Sequence, residues 1–130
     1  MSKYWLDYVK SCYDLVIETE SFTNLILEHE VEAYVVHLMA NNFERSYMGE
    51  SPVAMSMLTA MQTGNRQDFL SVGDECLLIH SYPLKQGRWP TPTYYMDMGI
   101  TAYGMANHIM ENHFEPAGKI LGAIFRRTNL

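Results

Sequence analysis

Several common routes to function are scarce or missing in this sequence. It has only two cysteines in 130 residues, Cys12 and Cys76. Both fall within apolar helical patterns, which predicts two buried thiols and neither a disulfide nor a metal pair. No apolar run approaches the roughly 20 residues that span a bilayer. The opening "MSKYWLDYVK" carries an acidic residue and lacks the apolar core of a signal peptide. The expectation is therefore a cytoplasmic chain without a membrane span.

Positive charge is also scarce. Nine Lys and Arg face fifteen Asp and Glu, for a net charge of −6. Such a surface repels a phosphate backbone unless cations cluster locally. The one basic pair is Arg126-Arg127, so nucleic acid is not an expected partner. Phosphate loops, Gly-rich dinucleotide turns, HExxH and nucleophile-elbow serines are absent. No cofactor is expected. Glu-x-x-His, the di-iron spacing, does not occur. The reverse spacing occurs twice, as His29-x-x-Glu32 and His108-x-x-Glu111, and reads as solvated helix-surface pairs. No metal is expected, and no residue is assigned a catalytic role.

What the chain does have is apolar bulk in helical period. Ten methionines and 12% aromatic residues accompany a hydrophobic content of 48%. That composition is globular, and the length suits one domain, residues 1–130, with one core. Trp5, Tyr8, Val9, Cys12, Leu15 and Val16 share one face, with Ser2 as cap. A polar break is expected at 19–24, then a short helical turn or an entry to the next helix over 23–28. Val31, Tyr34, Val35, Leu38 and Met39 form one arc of a helix over 30–47 that Gly49 ends. Ser51 and Pro52 open the next helix, and Gly64 stops it. Phe69, Val72, Cys76 and Ile79 make a stripe over 65–80. Residues 81–92 are rich in Pro and Gly and read as a loop, with a short hairpin across 81–95 as the alternative. Thr93 caps a helix over 94–112, and Glu115-Pro116 starts the last one over 116–128. The fold class predicted is all-α, a single-domain bundle of about six helices.

The 94–112 segment is apolar around most of its circumference, which predicts the central buried helix of the bundle. It also holds two glycines, each costing a helix roughly 1 kcal/mol relative to Ala. Gly99 lies beside Ala102 and Ala106, and close approach of a neighbouring helix accounts for it. Gly104 falls on the polar stripe with Asp97, Thr101, His108 and Glu111. These residues, with Tyr103 and with Trp89 from the preceding loop, form the expected binding surface. Asn42 and His80 project from the centres of apolar faces and are expected to be buried and hydrogen-bonded.

"VGDECLLIHSYP" followed by "TYYMDMGITAYGMA" resembles the signature of an uncharacterised bacterial helical protein family. The matching residues are Gly73, Asp74, Pro83, Tyr94, Tyr95, Met98, Gly99, Ala102, Tyr103 and Gly104. They cover about a quarter of the chain. The resemblance implies that the second half is a family core, and it implies no activity. The expected function is a non-catalytic protein-protein interaction or adaptor module, with another protein or a second copy as partner. The alternative is a small-ligand-binding protein or enzyme with a pocket near His80, Asp97, Tyr103 and His108.

Overall fold

The computed structural model describes residues 3–42, 53–82 and 91–128. Six helices account for most of them: α1 (Lys3–Thr23), α2 (His29–Asn42), α3 (Val53–Thr63), α4 (Arg66–Ser81), α5 (Pro92–Met105) and α6 (Phe114–Thr128). A 3-10 turn, Ile109–Asn112, links the last two. The fold is all-α, with no strand among the described residues. Ser2, Gly49, Ser51, Pro52, Pro83, Trp89 and the centre of the alternative hairpin lie outside the described residues.

α1 runs through the expected polar break. Its polar residues are satisfied inside the helix: Thr19 Oγ1 donates to Leu15 O at 2.7 Å and Thr23 Oγ1 to Thr19 O at 2.8 Å. Such back-bonding lets Thr sit within a helix without a water partner. The helix ends where Asn24 turns left-handed, at φ 58°. Residues 25–28 then carry no regular secondary structure, so the segment is the entry to α2 and not a helical turn. Gly64, with φ 65°, stops α3 as expected. Thr91, not Thr93, caps α5; its side chain accepts from Tyr94 N, and Pro92 occupies the first turn.

The 94–112 segment is not one helix. α5 stops at Met105, and Asn107 takes φ 51°. His108 N donates to Tyr103 O at 3.0 Å and Asn107 N to Gly104 O at 2.9 Å. Those two bonds form a Schellman stop with Asn in the left-handed position. His108 Nδ1 then accepts from Met110 N and caps the 3-10 turn. The apolar wheel drawn across 94–112 therefore loses its phase after residue 105.

The centre of the bundle is α4 instead. Phe69, Leu70, Val72, Cys76, Leu77, Leu78 and Ile79 are all buried along it. It packs against α3, α5 and α6, whereas α5 buries only Gly99, Ala102 and Tyr103. The close approach at Gly99 is present as expected. A Cβ there would lie 2.4 Å from Phe114 Cε2 and 2.9 Å from Cys76 Cβ. Both thiols are buried and free. Burial, then the Glu75 charge, pushes the Cys76 thiol up to about 12. Arg127 of the basic pair reaches back to α1, donating to Glu18 Oε1 at 2.6 Å and lying over the Phe22 ring.

Candidate functional site

Two places stand out from the packed core. The first is a polar cluster where α2, α4 and α5 meet. Gly73 and Asp74 lie mid-way along α4. A Cβ at residue 73 would come within 2.6 Å of the Tyr103 ring, so only Gly lets α5 seat that ring against α4. The seated Tyr103 is 0% exposed, and its hydroxyl donates to Asp74 Oδ1 at 2.7 Å. Tyr34, from α2, donates its hydroxyl to the same oxygen. The two tyrosine rings meet edge-on, with centroids 6.1 Å apart. His108 covers them, its ring 4.8 Å from Tyr34 and stacked at 5.8 Å on Tyr103. At the start of α4, Arg66 Nε donates to Ala106 O at 2.8 Å and fastens the end of α5.

The electrostatics come from burial. Desolvation raises the Asp74 carboxyl above the usual carboxylate range, and the two tyrosine hydroxyls offset part of the rise. Burial and then the Asp74 charge push both tyrosines up, so they stay neutral donors. Burial and then the Arg66 charge push His108 down. A neutral His108 agrees with its Nδ1 accepting from Met110 N. Chemically the cluster is a tether: one carboxylate oxygen joins three helices through two phenols.

The second place is an apolar groove of about 430 Å³ between α1 and α2. Leu6, Val9, Lys10 and Tyr13 form its α1 wall, and His29, Glu32, Ala33, Val36 and His37 its α2 wall. Leu6, Tyr13 and Ile17, at 59%, 44% and 40% exposure, continue the α1 wall as an exposed row.

The expected binding surface does not assemble as one face. Tyr103 is buried and points to Asp74, away from the polar stripe. Gly104 is not bare backbone, because the Glu111 side chain lies over it: a Cβ there would sit 2.5 Å from Glu111 Oε2. Asp97 and Thr101 are exposed, and Thr101 Oγ1 bonds back to Asp97 O. His108 joins Tyr103 in the cluster. Trp89 is outside the described residues.

His80 and Asn42 are half-buried rather than buried, and they do not satisfy each other. Asn42 Nδ2 donates to Leu38 O at 2.8 Å, on a carbonyl at the end of its own helix. His80 Nδ1 bonds Pro92 O at 2.8 Å, and its ring packs on Phe114. Pro92 and Tyr103 are separated by about 16 Å of helix rise, so His80 does not share a pocket with Tyr103 and His108. His29 Nδ1 reaches Glu32 Oε1 at 4.0 Å. Among the described residues, no three His, Cys, Asp or Glu side chains are placed to hold a metal ion.

Tyr34, Arg66 and the role of Asp74 were not evident from the sequence. Asp74 carried a signal: it stands four residues after Leu70 and three before Leu77, on the margin of the buried stripe. A carboxylate there needs donors from the neighbouring helix. Among the described residues, no helix is long and apolar enough to cross a membrane. Compared with known proteins, the chain matches no family model, no curated protein and no solved structure.

Proposed function

We propose that this chain works by binding another protein, which lays an amphipathic helix along the α1–α2 groove. One observation carries the reading: Leu6, Tyr13 and Ile17 stand seven and four residues apart on α1, all exposed, beside a groove whose walls are mainly apolar. Large apolar side chains scattered singly need no explanation, but a row of them bordering a groove marks a contact surface. The rim supports a choice of partner. Lys10, His29 and His37 offer N–H donors around the groove, and its one carboxyl group, Glu32, is buried. The fitting helix carries acidic residues beside its apolar ridge.

The Asp74 cluster is then scaffold, holding α2 in register with α4 and α5. The free, buried Cys12 and Cys76 support a reducing, cytoplasmic setting. A second reading, pairing of two copies, draws support from α3, where Met55, Leu58 and Met61 lie three residues apart and exposed.

The test is a quantitative pull-down from the native host. The wild type is compared with Leu6→Glu/Ile17→Glu and, as a surface control, Met55→Glu/Met61→Glu. The reading expects a retained protein that is lost with the α1 pair and kept with the α3 pair. Retention independent of the α1 pair contradicts it. Native mass spectrometry of the three proteins decides whether a second copy is the partner.

A further inference from the structure

The α1–α2 connection buries two carboxyl groups. Glu20, in the last turns of α1, is 5% exposed, and Glu32, in the first turn of α2, is 6% exposed. Their side chains are hydrogen-bonded to each other. A bond between two carboxyl groups needs one proton. Glu20 Oε2 already accepts from Leu27 N at 2.7 Å. With Glu20 already accepting from a backbone N–H, the proton of the pair is placed on Glu32, which donates.

We propose that the α1–α2 hairpin is a proton-operated latch, closed while Glu32 donates to Glu20 and loosened when that proton leaves to solvent. Two buried carboxylates in contact repel each other where little water screens them. The loosened part is defined by the fold: Glu20 holds the 25–28 segment through Leu27 N, and Glu32 is in the wall of the groove. Losing the proton therefore acts on the groove's own geometry. That consequence for binding rests on the proposed function; the latch does not.

On α2, exposed His29 lies 4.0 Å from Glu32, and its charge opposes the rise without cancelling it. Lys10 and His37 line the same groove from α1 and α2. From α6, Arg127 is engaged with Glu18. His113 pairs with Glu28 at 3.8 Å. Burial and the Glu20 contact raise the Glu32 carboxyl above the ordinary range. The direction is set by that shift: closure is complete below the ordinary glutamate value and is lost as pH rises through the Glu32 midpoint.

The experiment is native-state hydrogen exchange of Leu27 N–H from pH 4.5 to 8, corrected for intrinsic rates, in the wild type and in Glu32→Gln. The amide of that variant can donate to Glu20 at every pH. In the wild type, protection should fall by up to about tenfold per pH unit from the ordinary glutamate range, about 4.3, to the Glu32 midpoint, then level off. In Glu32→Gln it should stay flat. Parallel profiles in the two proteins overturn the proposal. If Glu32→Gln does not fold, a carboxyl-carbon NMR titration of the wild type decides. A Glu32 midpoint above the ordinary range supports the latch, and one at or below it overturns it. Neither readout involves a partner, so the latch and the binding reading fail separately.

Discussion

Asp74 illustrates how one side chain can fix three helices. Its Oδ1 receives both Tyr34 and Tyr103. Truncation to Ala leaves two phenols in a low-dielectric contact without their acceptor. Each unsatisfied buried donor costs about 1–3 kcal/mol, so Asp74→Ala should lower stability by at least that much in a urea titration. A change within error would show that water replaces the carboxylate freely. Gly104 leads to the opposite expectation. The atom that a Cβ would strike is the end of the exposed, flexible Glu111 side chain, which can swing aside. Gly104→Ala should therefore be neutral or stabilising by up to about 1 kcal/mol. A marked loss of stability would show that the Glu111 contact with bare backbone matters to the fold.

At the scale of the element, the stops decide the architecture. α5 ends because Asn107 adopts a left-handed conformation and His108 caps the 3-10 turn after it. Asn tolerates that region, while Ala is disfavoured there by about 1–2 kcal/mol. Asn107→Ala should destabilise by that amount and Asn107→Gly should not, as read by thermal melts of both; equal effects would mean the residue acts through its side chain. The same stop shows how much was legible in the sequence. Helix content, the α4 stripe and the Gly64 stop are readable from apolar period and Gly. The break at 106–108 was hidden because the apolar pattern continues through Ala106, Ile109 and Met110 on both sides of it. The Asn-His pair was the available signal, weaker than Gly or Pro. The Asp74 cluster was partly legible, since Tyr103 and His108 were singled out. Their partners Tyr34 and Arg66 lie about 70 and 40 residues earlier, and only tertiary packing unites them. The polar run at 19–24, interrupted only by Phe22, suggested a break because side-chain bonds to the preceding turn are invisible to a hydropathy pattern.

For the whole molecule, two groups give stability opposite slopes against pH. His108 is held below its ordinary value, so the folded state resists its protonation. Its contribution is present above the unfolded histidine value, about 6.5, and is lost as pH falls below it. His108→Gln should flatten the acid limb of a melting-temperature profile; an unchanged acid limb would mean that His108 is protonated without cost. Glu32 has the opposite slope: its contribution is lost as pH rises from the ordinary glutamate range through its own midpoint.

The central claim is that this fold presents α1 to a partner. Its exposed row contributes little to the stability of the fold, since Leu6 and Ile17 already face solvent. The most direct test pairs the melting temperature of Leu6→Glu/Ile17→Glu with the proteins it retains from the host. The expected result is a melting temperature close to wild type together with loss of one partner protein. Unchanged retention at unchanged stability would contradict the claim and leave the row without a role in binding.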